Sequence, residues 1–272
     1  TAVRTCSLSY TYPAAAASNK LCFLSSVDIS GEGTYSFDYN YTPSTVFPKH
    51  GTFKIDHWGF FNNSSAAAST FYTHTTQGDY LEETINTTLR EPNTTAAMLG
   101  VMTAVHYPTG GRTTFEYEGH TYANYEGSTG FPDFAPYMYN TPSYSAQTTG
   151  GVRIKAIRDY DSASATTPVY YRTYSYLDEN GHSSGVRGPL PRYGLSYYKT
   201  RNNGDHIDVY LGSYNNLLPA DGTHIEYARV TENLPQGKNV YTFITRLDCP
   251  DGKETWDGTN LYNLTFDTGF SP

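Results

Sequence analysis

Twenty-six carboxylates are the first place to look for chemistry in this chain. Two carboxyls converging on one sheet face, one of them kept protonated by apolar surroundings, would make a glycosidase pair. Asp56, Glu116, Glu118, Asp159 and Asp161 stand beside aromatic segments. Each reads as the solvent-facing alternate of its strand, so no catalytic residue is assigned and glycoside hydrolysis stays a minor alternative. The eight histidines fall singly, with no HExxH. Ligands such as His57, His74 and His106 would have to converge from separate strands, and His206-Ile-Asp208 is two residues on one strand face, so no metal site is assigned. Serine is abundant, but no Gly-x-Ser-x-Gly elbow marks a nucleophile. Gly110-Gly111 and Gly150-Gly151 lack phosphate-cradling spacing and read as turns. Asp159-Tyr-Asp161 and Asp248-Cys-Pro-Asp251-Gly252 lack the ordered spacing of a calcium loop. No cofactor is expected.

Aromatic rings are the remaining lever. Trp256, in Glu-Thr-Trp-Asp-Gly, sits in a polar, turn-like setting that offers a flat face to a sugar or peptide. Trp58, in Asp-His-Trp-Gly-Phe-Phe, has the same capability but reads first as a core plug beside Phe60 and Phe61. Tyr170-Tyr171 and Tyr197-Tyr198 put one ring on each sheet face, so one of each pair meets solvent or a partner. Trp256, Tyr171, Tyr198 and Trp58 are therefore the candidate ligand-binding residues. Three cysteines, Cys6, Cys22 and Cys249, show no CxxC spacing. A Cys6–Cys22 bridge is one arrangement, and buried thiols acting as small apolar residues are the other, favoured one. The triplets at Asn62, Asn86, Asn93 and Asn263 fit an N-glycosylation pattern, but such triplets arise by chance in a Ser/Thr-rich chain.

The elements that must position these groups are strands. Of 272 residues, 27 are Tyr, 16% are charged and 15% are aromatic, far from the usage of helical bundles. Period-two runs recur at Ser7–Tyr12, Tyr35–Tyr39, Thr52–Ile55, Thr114–Tyr117, Val152–Ile157 and Ile207–Tyr210. Pro108-Thr-Gly-Gly111 and Asp178-Glu-Asn-Gly181 supply hairpin turns. Ala14–Ala17 reads as a loop, and Asp79–Leu89 has room for one or two helical turns. The fold class is all-β: antiparallel hairpins in one extended sheet system or in two sandwich-like lobes. The boundaries are 1–130 for an N-terminal β lobe, 131–150 for a loop or linker, within a Pro/Gly-rich stretch running to Gly151, and 151–272 for a C-terminal β lobe. A net charge of −8 with no basic cluster argues against a nucleic-acid partner. No apolar window is long enough for a membrane helix. The start, Thr1-Ala-Val-Arg, carries no signal peptide and reads as a mature piece of a longer polypeptide.

Internal similarity ties these strands together. Phe115-Glu-Tyr-Glu-Gly119, Tyr174-Ser-Tyr-Leu-Asp-Glu-Asn-Gly181 and Tyr241-Thr-Phe-Ile-Thr-Arg-Leu-Asp248 each place two aromatics two apart before an acidic or Asn-Gly turn. That plan is a strand feeding a hairpin, and it resembles the tyrosine/aspartate repeat of RHS and YD-repeat proteins. The ordered motifs Leu24–Gly31, Tyr35–Tyr39, Asp56–Asn62, Arg90–Asn93, His106–Gly111, Phe115–Glu118, Gly150–Lys155 and Gly181–Gly185 extend the likeness over residues 20 to 190. They are similar to the region before or around the repeats of large surface proteins of Bacteroidota. The resemblance implies an extracellular or bacterial outer-surface location and a non-catalytic structural or adhesive role. The implied partners are neighbouring repeats of the parent polypeptide and a surface protein or glycan, and no catalytic residue carries over. The repeats are too few to close a shell, and the self-cleavage motif Asp-Pro-x-Gly is missing near the end. The alternative is a unit that binds or cleaves carbohydrate on exposed Trp or Tyr.

Overall fold

The structure is a computed structural model that describes residues 4–13, 21–67 apart from 43 and 46, 72–77, 80–85, 87–125, 146–188, 195–201, 204–210, 224–248, 255–256 and 261–262. The first half supplies β1 (Cys6–Thr11), β2 (Phe23–Ile29), β3 (Gly33–Tyr39), β4 (Tyr72–Gln77), β5 (Tyr80–Ile85), β6 (Met102–His106), β7 (Arg112–Tyr122) and β8 (Asn124–Tyr125). The second half supplies β9 (Gln147–Tyr160), β10 (Tyr170–Ser175), β11 (Gly185–Arg187), β12 (Leu195–Arg201), β13 (Gly204–Tyr210), β14 (Ile225–Tyr227), β15 (Arg229–Leu234), β16 (Gly237–Thr242), β17 (Thr255–Trp256) and β18 (Leu261–Tyr262). Asp79–Leu89 is mostly strand β5, followed by a 3-10 turn at Thr87–Arg90. The short helix α1, Thr94–Ala97, begins where the Asn93 side chain accepts from Ala96 N and caps it.

Nine strands form one antiparallel sheet in the order β1-β2-β3-β6-β7-β9-β10-β15-β16. Every neighbour follows the last in sequence, so the chain is a meander interrupted by three excursions: between β3 and β6, between β7 and β9, and between β10 and β15. The sheet draws strands from both sides of residues 131–150, and β7 and β9 form its longest ladder, from Arg112↔Tyr160 to Tyr122↔Gln147. Of the two arrangements the composition allows, the extended sheet is therefore the one observed. Short ladders complete the described residues: β14-β11-β8, β12-β13, β17-β18 and β4-β5.

Three sequence readings change. Gly150-Gly151 is no turn: it lies inside β9, where Gly119↔Val152 and Thr121↔Thr148 leave extra residues on β9 and make a bulge. Strand β9 thus starts at Gln147, inside the stretch read as loop. Thr52–Ile55 joins no strand, and only the bridge Ile55↔Phe61 remains of that alternation. Likewise Glu118-Gly119 runs on within β7 instead of turning, because Gly119 is the spot where Thr94 of α1 presses on the sheet and a Cβ would collide with it. The turns at Tyr107–Gly111 and Asp178–His182 form as read.

Among the described residues few side chains are buried deeply, and the core is local. Phe23, Tyr39, Tyr41 and Phe47 pack ring on ring with centroids 4.8 to 5.6 Å apart. The other buried region sits over the middle of the sheet, where the first and third excursions meet β9.

Candidate functional site

The β9 bulge is the anchor of that meeting point. A Cβ on Gly150 would lie 2.5 Å from Asp56 Oδ2 and 2.8 Å from the Trp58 ring, and one on Gly151 would strike Phe60. Only glycine lets the first excursion dock here. Asp56, 1% exposed, holds its own loop: Oδ1 accepts from Trp58 N at 2.9 Å and Phe60 N at 3.0 Å, and its N–H donates to Phe60 O. Burial pushes the Asp56 carboxyl up to about 6, with the backbone donors and Arg90 pulling the other way. Asp56 is thus no solvent-facing alternate. The reading from period fails because the carboxylate caps a turn instead of extending a strand.

Rings continue the contact. Trp58 stacks on His224 with centroids 4.7 Å apart, His57 meets Trp58 edge-on, and His120 lies between His224 and Tyr227. His224 Nε2 donates to Gly150 O at 3.0 Å. Arg153 Nη1 donates to Tyr227 Oη at 2.6 Å, leaving the phenol proton to reach His120 Nδ1 at 2.8 Å. Burial, with help from nearby arginines, lowers His57, His120 and His224 to about 4, so all three are neutral at pH 7. Directly across the β7–β9 ladder, Arg153 pairs with Glu118 at 2.7 Å while its guanidinium lies 4.1 Å over the Tyr176 ring. Burial pushes the Tyr176 phenol, which donates to Ile154 O, up to about 12. Arg246 and Glu226 close the far side at 2.7 Å.

Chemically this cluster is a lock. Its acid accepts from backbone amides and the His120 and His224 ring nitrogens bond neighbours, while the buried Trp58 Nε1 has no hydrogen-bond partner, so the cluster has the character of a polar joint between excursions. Among the described residues, no group of three or more His, Cys, Asp or Glu is placed to hold a metal ion. His106 instead pairs with Asp38 at 2.8 Å on the neighbouring strand, and His57 sits in the joint. Only the backbone of β4, which carries His74, is described. Glu116 is bridged by Lys155 and Arg158, and Asp159 accepts from Thr113.

The sequence-derived ligand residues do not converge. Trp58 belongs to the joint. Tyr171, 38% exposed, lies on β10 beside Tyr170, 42% exposed, so both rings of that pair meet solvent. Tyr198 is on β12 and Trp256 on β17, in separate ladders whose side chains lie outside the description. Cys6 and Cys22 are free and exposed. Cys6 faces Ile29 at one end of the β1–β2 hairpin and Cys22 lies beyond the Thr11↔Phe23 end, roughly 20 Å away at the strand rise, which corrects both the bridge and the buried-thiol reading. Cys249, Ala14–Ala17, Asn86 and Asn263 lie outside the described residues. Asn62 is buried and its Nδ2 donates to Leu89 O and Glu91 O, so its amide is engaged within the fold.

Among the described residues, no strand pairs with the outer side of β1 or of β16. Every residue of β1 and β16 is exposed. Thr5 O accepts from Ser30 N, so in the alternating antiparallel ladder Cys6 and Leu8 turn their N–H and C=O outward. Phe243 N donates to Ala228 O, which by the same alternation leaves Lys238, Val240 and Thr242 facing out from β16. Large apolar groups flank these edges: Leu8 is 53% exposed, Tyr10, Val240 and Tyr241 are exposed with it, and Ile244 reaches 79%. Among the described residues no helix is long and apolar enough to cross a membrane. Set against protein-family models, curated proteins and solved structures, the chain has no match in any of the three.

Proposed function

We propose that this chain is a non-catalytic structural and adhesive β module whose sheet is continued at its borders by strands from neighbouring repeats or a partner. The observation that carries this reading is the pair of open edges: a nine-strand meander ending on both sides in strands exposed on both faces. Proteins ordinarily blunt such edges with charge, proline or a covering element. Here β1 has no charged residue within Cys6–Thr11, and β16 has only Lys238. The resemblance to RHS and YD-repeat surface proteins supports placing the module in an exported cell-surface polypeptide, where stacked hairpins would supply the missing neighbours. The joint supports the reading from another side: Asp56, His120, His224 and Arg153 bond to groups of the fold itself, which ties the excursions to the sheet.

Sedimentation velocity tests the edges. The isolated chain is expected to associate as its concentration rises, because two unpaired borders seek strands. The double variant Leu8→Pro and Val240→Pro removes only outward N–H groups and is expected to sediment as a monomer with unchanged far-UV circular dichroism. Association that survives this double substitution, or a chain that stays monomeric at every concentration, would overturn the reading.

A further inference from the structure

The excursion between β3 and β6 contains a feature that neither the joint nor the edges use. Residues 47–54 and 61–66 fold around an open cleft of about 490 Å³, within the size range of small-ligand sites. Phe53 and Phe61 form apolar walls, and Phe53 is 38% exposed. Lys49, His50 and Lys54 stand along the same cleft with Asn63, and among the described residues no carboxylate lines it. In a chain of net charge −8 this is a local concentration of positive charge, and among the described residues neither lysine is engaged in an ion pair. Flat apolar faces beside cations and neutral donors suit a ligand that has a ring body, hydroxyls and a negative charge.

The walls also tell against an extended peptide. Thr52 N donates to Lys49 O, Asn62 N donates to Lys54 O, and Ile55 bridges Phe61. Their backbone groups are spent on one another, leaving no row of donors and acceptors for a strand to pair with. We propose that this cleft binds a uronate-bearing saccharide of one or two rings, its apolar faces on Phe53 and Phe61 and its carboxylate between Lys49 and Lys54. The site names a glycan class for the adhesive reading above, but uses no part of the sheet edges. Its failure would leave the sedimentation result standing, and the reverse also holds.

Isothermal titration calorimetry of the whole chain with digalacturonate tests it, with cellobiose, hexaglutamate and benzoate as comparison ligands. The expected result is saturable digalacturonate binding that weakens with added salt, and cellobiose binding about tenfold weaker or less. Lys49→Gln with Lys54→Gln should weaken digalacturonate by about tenfold, and Phe53→Ala should weaken both sugars. Circular dichroism of the lysine variant, whose changes conserve size near the surface, checks that the fold is kept. No digalacturonate binding at millimolar concentration, cellobiose bound equally well, an unaffected lysine variant, or hexaglutamate or benzoate bound as tightly would each overturn the proposal.

Discussion

The middle of the sheet and its borders obey opposite rules. At the β7–β9 ladder, Arg153 alone engages Glu118, Tyr227 and Tyr176, and glycines in the strand admit Asp56, Trp58 and Phe60 from another excursion. At β16, among the described residues, the side chains meet their immediate neighbours: Glu232 gathers Tyr174, Asn239 and Tyr241 on one open face. At β1, among the described residues, the side-chain bonds are an Arg4–Glu32 pair next to the strand and a Ser30 hydroxyl accepting from Thr5 N. The contrast teaches that the dense interactions of the described residues lie at the centre of the sheet, while its border strands are exposed. A module built to be continued would be arranged so.

The sharpest way to break that contrast is Arg153→Ala, which strands a half-buried Glu118 and the Tyr227 hydroxyl. It is expected to cost about 3 kcal/mol in urea unfolding, whereas Lys155→Ala, at an exposed pair with Glu116, should leave the unfolding midpoint nearly unchanged. Equal effects would show that centre and surface are not distinct. Gly150→Ala comes next, because its Cβ must displace Asp56 Oδ2 and Trp58, and about 2 kcal/mol of destabilisation is expected by the same measurement.

Acid should act on the centre as well. His57, His120 and His224 titrate near 4 in the fold against 6.5 when free, so the unfolded chain binds protons first. Their contribution is complete above about pH 6.5 and is lost as pH falls towards 4. Asp56, near 6 against 3.8, works in the opposite sense over that window. Arg90, Arg153, Arg187 and Arg246 face the cluster and add to the cost of protonating it. With three groups against one, thermal melting should drop between pH 6.5 and 4, and His224→Gln should make that drop shallower. A melting temperature flat across the window would remove the joint from the account of stability.

The smallest expected effect belongs to the border. Val240→Pro takes away an N–H that points outward and should change stability by less than about 0.5 kcal/mol. Tyr241→Pro, one residue on, removes a ladder bond to Val230 and should cost about 3 kcal/mol. Matching melting curves for the two would show that the assigned alternation of β16 is wrong.

Alternation and turn chemistry settled much of this molecule before any packing was considered. Ser7–Tyr12, Tyr35–Tyr39 and Val152–Ile157 carry one apolar face every second residue, and Pro108–Gly111 carries the residues a tight turn needs, so the all-β class was legible locally. Exposure of the Tyr170-Tyr171 pair followed from the same period, though period alone did not say that both rings would meet solvent. The joint was not legible, because its members come from six separated stretches: Asp56–Phe60, Glu118–His120, Gly150–Arg153, Tyr176, His224–Tyr227 and Arg246. Nothing near Asp56 in sequence distinguishes a turn-capping carboxylate from a solvated strand residue, and nothing near Gly150 distinguishes a docking bulge from a turn. Those choices depend on which side chain arrives from elsewhere, and so does the cleft of Lys49 and Lys54. Local sequence determined that strands would form and where they would reverse. Tertiary structure alone decided which ladder took the burden, since burial and close approach are properties of pairs that the chain brings together only after it has folded.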